Sequence, residues 1–198
     1  MSMDHKAFLF DTASFHQELA PVLREAALAD EVDLLGAFIE THRAVILSPY
    51  SGEELEDDWQ DEIRTKGVQE YADFALAKYY SSDEERGLSY LWQPLAEVLE
   101  ACDSLSNGET YVVGIPFTSG SFTLDPGRMG MGFLDAEEIP TRLKELASAR
   151  ESISLDELDL SEELLDELSE DELLDAFDEL IDLYRSALEA NRGLLMTF

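Results

Sequence analysis

Cysteine is almost absent from this chain of 198 residues: Cys102 stands alone. That excludes an internal disulfide and any multi-cysteine metal site. Long apolar runs are missing as well, and no stretch approaches the length a membrane-spanning helix requires. The apolar part of "MSMDHKAFLF" is broken at once by "DT", too early for a signal peptide. His5, His16 and His42 stand in "DHK", "FHQ" and "THR", with no HExxH or ExxH spacing, so neither a zinc nor a di-iron site is expected. The acidic run from 156 to 182 contains no Gly, which removes the EF-hand loop. The expectation is a cytoplasmic protein without metal or cofactor.

Basic residues are also scarce. Thirteen Lys and Arg face 45 Asp and Glu, giving a net charge of -32. Such a charge would suggest disorder, but 45% of the residues are apolar, with ten Phe, seven Tyr and two Trp, enough for a core. A compact monomer of this mass exposes roughly 9,400 Å², about one uncompensated negative charge per 290 Å². That field disfavours nucleic acid and anionic membranes and favours a basic protein, a cation, or solubility alone.

The pattern along the chain predicts one domain over residues 1–198, with no Pro-, Gly- or Ser-rich linker. A short strand at "KAFLF" leads into helices across about 11–104: Phe15, Leu19, Leu23 and Ala26 recur at helical spacing, as do Val32, Leu35, Phe38 and Ile39. Leu55, Trp59 and Ile63 predict a third helix among seven acids, and Leu88, Leu91, Trp92, Leu95 and Leu99 a later one. Across about 107–134 six glycines replace the helical period. "ETYVVGIPF" reads as a strand, and "SFTLDPGRMGMGF" as a hairpin turning at Pro126 and Gly127. The rest, about 135–198, is acidic and helical, closing on "GLLMTF" as a strand. The fold class is α+β, mainly α: amphipathic helices packed around a small, mostly antiparallel sheet of residues near 7–10, 110–117, 130–134 and 194–198.

Residues 156–182 hold fourteen acids and no base. Much of this is structural. Ser154 with Glu157 and Ser169 with Glu172 fit capping boxes, Ser161 fits an N-cap, and acids in first turns are favoured by the helix dipole. Leu173, Leu174, Phe177, Leu180, Ile181, Tyr184 and Leu188 trace one core stripe, and Leu164, Leu165 and Leu168 a shorter one. Left over are Asp171, Asp175, Asp178 and Asp182, spaced 4, 3 and 4 apart on one exposed ridge without an interleaved base. The charge is patchy: residues 104–150 hold six acids and four bases. Patchiness fits a local purpose better than general salt adaptation.

No nucleophile motif is present. "TSGS" at 118–121 lacks the GxSxG elbow, and Cys102 at a helix end reads as a small core side chain. The glycines of "GRMGMG" fall as GxxGxG, which meets neither nucleotide fingerprint. Gly130 and Gly132 instead read as the bare face of a strand, open to close approach by another element of the chain.

The C-terminal third resembles the YfbM-like family of bacterial proteins. The shared pattern is Gly130-Met131-Gly132, then "LDAEEI" opening a helix, an acidic helical stretch, and "LIDLYRSALEANRGLLMTF" with Tyr184, Ala187 and Gly193. The link from Gly132 to Leu134 is shorter here than in the family. The resemblance implies an α+β fold and, through the suspected immunity role of such proteins in toxin systems, an acidic inhibitor of a basic toxin. It carries over no catalytic residue.

Three functions remain. The first is a non-enzymatic interaction protein that docks a basic protein partner through Asp171, Asp175, Asp178 and Asp182, with Asp57, Asp58 and Asp61 as a second cluster. The second is a small-molecule site or enzyme pocket beside the Gly-rich hairpin, using Arg128, Thr118, Ser119 and Ser121. In the third, charge serves only solubility or salt adaptation.

Overall fold

The computed structural model describes residues 4–65, 67–154 and 169–198. Its centre is a four-stranded antiparallel sheet of β1 (His5–Phe10), β2 (Arg86–Ser89), β5 (Met131–Leu134) and β6 (Gly193–Thr197), in the order β2-β1-β6-β5. The first and last strands pair directly, with Phe8 opposite Leu195 and Ala7 opposite Met196. The two ends of the chain are therefore tied in one sheet.

Side chains alternate across a strand, so β1, β5 and β6 feed both faces, while the edge strand β2 buries only Leu88. After a short first helical turn, α1 (Thr12–Ser14), the chain forms α2 (Ala20–Ala29), α3 (Asp33–His42) and α4 (Val68–Leu76), and Phe8, Phe10, Phe133 and Leu195 point into one core with these three. Ala7, Leu134, Leu194 and Met196 point into the other, with α5 (Trp92–Ala101), α7 (Ile139–Ser152) and α8 (Glu170–Ala190). The sheet is thus buried between two helical layers. Each fully buried Phe or Leu contributes about 1.5 to 3 kcal/mol, and Phe10, Leu134, Leu194 and Met196 are all at 0% exposure. The α+β, mainly helical architecture agrees with the sequence pattern.

Helix α8 follows its sequence signals closely. Ser169 and Glu172 form the reciprocal capping box, and Leu173, Phe177, Leu180, Ile181 and Tyr184 are buried. Leu188, assigned to the same stripe, is instead exposed near the helix end. Ser161, Glu157 and the 164–168 stripe lie outside the described residues.

Four local expectations fail. Residues 110–117 are not a strand: Thr110–Val113 is a helical turn, α6, and only Ile115 bridges to Phe133. The β propensity of "TYVV" yields to packing, because Tyr111 and Val112 are buried in the second core. The hairpin is displaced. Thr118–Ser119 (β3) pairs with Phe122–Thr123 (β4) around Gly120, while β5 leaves to pair with β6. At the Pro126-Gly127 turn the Asp125 carboxylate accepts from the N–H groups of Met129 and Gly130 and redirects the chain. No helix spans 53–63; only a 3-10 turn forms at Trp59–Asp61. Leu55, Trp59 and Ile63 are nevertheless buried as their spacing suggests. A continuous helix there would stack Glu53, Glu54, Asp57 and Asp58 on like charges one turn on. Lastly, β2 lies where a helix start was expected; its four residues are too few to show a period.

Gly132 explains how α6 reaches the sheet. A Cβ there would collide with the Val113 carbonyl and the backbone of Gly114. The bare strand face is covered by this chain itself.

Candidate functional site

The aspartate ridge forms as its spacing dictates. Asp171, Asp175, Asp178 and Asp182 are all exposed on α8. It is less uncompensated than the sequence suggests. Arg150, near the end of α7, donates from Nε and Nη2 to both carboxylate oxygens of Asp178, at 2.9 and 3.0 Å. Arg185 pairs with Asp182 one turn along α8. Among the described residues, Asp171 and Asp175 have no ion-pair partner.

The second acidic cluster is built by its apolar neighbours. Trp59 packs on Tyr71 and Phe74 and donates to Glu40 at 2.8 Å, while Leu55 and Ile63 enter the same core. Buried Ser48 fixes the other end: it donates to Glu62 at 2.6 Å and accepts from the N–H groups of Tyr50 and Ser51. With its apolar residues committed inward, the segment turns its acids outward. Glu53, Glu54, Glu56, Asp58, Asp61 and Glu62 line a hollow of about 330 Å³ with Ser51, and no basic residue lines it. Asp57 stands outside this basin and pairs with Arg43 at 2.9 Å.

Arg128 lies on a larger hollow of about 630 Å³, but not with the hydroxyls predicted to accompany it. Thr118 lines a separate small cavity beside Phe15, His16 and Asp135, and Ser119 and Ser121 line neither. The companions of Arg128 are instead Tyr50, Thr65, Gln69, Glu70, Asp73 and Phe122, brought together by α4 and the turn at 126–128. Glu70 is occupied structurally. It accepts from the N–H and hydroxyl of Thr65, the N–H of Arg64 and the hydroxyl of Tyr50. Burial opposes its charge, but those donors outweigh burial and hold the carboxyl at about 2. Asp73, one turn further along α4, has no such support. Burial and the charge of Glu70 push it up to about 6.

Sequence reasoning passed over Asp73, Glu70 and Tyr50. The available signal was the i, i+3 spacing of Glu70 and Asp73 on a mostly apolar helix, which puts both carboxylates on one face.

Cys102 and His5 lie in the core. Cys102 is buried, and burial followed by the nearby Asp103 raises its thiol pKa, opposite to what a nucleophile needs. His5 is buried and neutral, with burial lowering it to about 4. Among the described residues no three His, Cys, Asp or Glu side chains converge as metal ligands, and no helix is long and apolar enough to cross a membrane. Comparison of the chain with protein-family models, curated proteins and solved structures finds no match, so its own geometry carries the functional reading.

Proposed function

We propose that this protein is an acidic interaction module that docks a basic protein partner, as an inhibitor of the immunity type would. The observation that carries this reading is the basin at 51–62. Six carboxylates line a concave surface with no base among them, on a segment anchored through Trp59, Leu55 and Ile63. A concave acidic surface accepts a projecting Lys or Arg side chain and replaces its water with several charged acceptors. The basin therefore takes the leading role, through Asp58 and Asp61. Asp171 and Asp175 offer a second contact, and Asp57, Asp178 and Asp182 are already engaged by arginines. The resemblance of the C-terminal third to YfbM-like proteins points the same way.

A field of this sign accelerates association with a cationic surface and is screened by salt over about 10 Å at 0.1 M. The test compares two variants of equal charge for binding to an oligo-arginine peptide at low salt. One carries Glu56→Gln, Asp58→Asn and Asp61→Asn, all in the basin; the other carries Glu25→Gln, Glu31→Gln and Glu137→Gln, all exposed elsewhere. Docking in the basin predicts a several-fold larger loss for the first. Equal losses would mean that only bulk charge attracts the peptide, and the reading would fall to solubility alone.

A further inference from the structure

The hollow beside Arg128 does not stand alone. A second cavity of about 260 Å³, lined by Phe8, Tyr80, Met131 and Phe198 among others, shares Asp73, Pro126 and Gly127 with it. Asp73 thus sits where two hollows meet, with room for a ligand on either side. The combined space falls in the range of about 300 to 1,000 Å³ usual for small-molecule sites. Its aromatic walls are held in place. Tyr50 packs edge-on against Phe74 at 5.3 Å and is tied by its hydroxyl to Glu70, and Tyr80 packs on Phe8 at 4.8 Å. Half of the Tyr50 surface remains open.

Partial burial raises the cost of an unpaired carboxylate, and Asp73 is half-buried with its oxygens open to the hollows. Every other acid on these walls except Asp30 has a partner: Glu70 as described, Glu85 with Lys6 at 2.7 Å, and Asp125 with Met129 and Gly130. Asp30 is exposed. Among the described residues Asp73 has neither a hydrogen bond nor an ion pair, although Arg128 and Lys6 line the same hollows. We propose that Asp73 is the recognition group of a binding site for a small organic ammonium ion, whose apolar portion lies against Tyr50, Tyr80 and Phe122. An ammonium supplies the missing donors, and the tyrosine faces favour a cation over a neutral isostere. A metal ion fits less well, since among the described residues no second and third ligand converge on Asp73.

The site is independent of the basin, from which it takes no residue. The charged and titratable groups around Asp73 are Glu70 on its own helix, Asp30 at the end of α2, Tyr50, Tyr80, Asp125 and Arg128, with Lys6 and Glu85 at the far side. Glu70 at about 2, and Tyr50 and Tyr80 raised above their ordinary range, do not change charge between pH 5 and 8. Binding should therefore follow the ionisation of Asp73.

The experiment is a titration of the full chain, observed through backbone amide resonances, with benzylammonium and with neutral benzyl alcohol. At about pH 7.5 benzylammonium is expected to give saturable shifts at Tyr50, Gly127 and Arg128, and the alcohol none. Lowering the pH to about 5 leaves roughly one tenth of Asp73 ionised and should weaken binding about tenfold. Asp73→Asn should lose at least tenfold, and Asp58→Asn with Asp61→Asn nothing. Equal binding of the alcohol overturns the proposal, as do retention by Asp73→Asn, tighter binding at low pH, shifts confined to residues 51–62, or no saturable shift at millimolar ligand. Because the pH arm uses the unmodified protein, it stands even if the variant folds poorly.

Discussion

Arg150 and Asp178 join α7 to α8 by two parallel hydrogen bonds of 2.9 and 3.0 Å, closing a fork between helices whose starts are 31 residues apart in the chain. The pair neutralises the centre of the aspartate ridge. Its partners are partly exposed, so the bidentate geometry is worth only about 0.5 to 1 kcal/mol. Arg150→Gln should lower stability by about that amount in urea titrations at low ionic strength, and by less in molar salt. A loss that ignores salt would show that the guanidinium stem packs rather than pairs. The same variant also frees Asp178, so it should bind oligo-arginine more tightly than wild type.

His5 links three elements through one neutral ring. Its Nε2 donates to the Val112 carbonyl at 2.9 Å, its Nδ1 accepts from the Leu88 N–H at 3.1 Å, and the ring lies 5.4 Å from Phe198. Burial lowers its pKa to about 4 from an ordinary 6.5. The stabilisation is complete above pH 6.5. It is lost as the pH falls from 6.5 to about 4, because the unfolded chain takes up the proton and the folded one resists it. The amount is about 3 kcal/mol. Imidazole resonances of His5 should therefore stay in the neutral Nε2–H form until about pH 4. Titration of this ring near its ordinary value would contradict the buried geometry. Stability measured against His5→Gln should agree: the wild-type advantage at pH 7 shrinks on acidification.

How far the chain could be read without its structure depended on the range of each interaction. Helix α8 was legible because its capping box and leucine stripe are local, repeating over 21 residues. The strand at 7–10 was legible from composition, and those at 131–134 and 194–197 from composition and the glycines beside them. The segment 110–113 was not, because what makes it helical is the fit of Tyr111 and Val112 against α8 and β6, far away in sequence. Arg150 lies 28 residues from Asp178, so the ridge looked unrelieved. Asp73 was one carboxylate among 45. Only the meeting of two cavities, one walled partly by the first strand and the last residue, distinguishes it.

The two glycines at 120 and 132 separate conformational freedom from close approach. Gly120 has φ +61° in the β3–β4 turn and nothing within 4 Å of where a Cβ would sit. Alanine there incurs only the left-handed backbone penalty, about 1 kcal/mol. Gly132 lies flush against the Val113 carbonyl and Gly114, so alanine must push α6 off the sheet and should cost at least about 3 kcal/mol. Denaturant midpoints of the two variants test the difference. Similar losses would mean that α6 is not seated on β5 as described.

Asp73 offers a stability test of the same carboxylate proposed to bind ligand. Its folded pKa of about 6 lies above the ordinary 3.8, so the folded state holds this proton more tightly than the unfolded one. Stability from Asp73 is full below pH 3.8 and is lost as the pH rises through 6, a difference of about 2 to 3 kcal/mol. Asp73→Asn removes the charge and keeps the shape. The variant should be more stable than wild type by about 1 to 3 kcal/mol at pH 7.5, with the gain vanishing near pH 4. A residue that folding alone had shaped would not be expected to oppose the fold at neutral pH, and trading stability for a charged group in a cavity is typical of binding sites. If the variant is instead destabilised at pH 7.5, the carboxylate has a partner within the chain, and its availability to an ammonium ion is refuted along with the raised pKa.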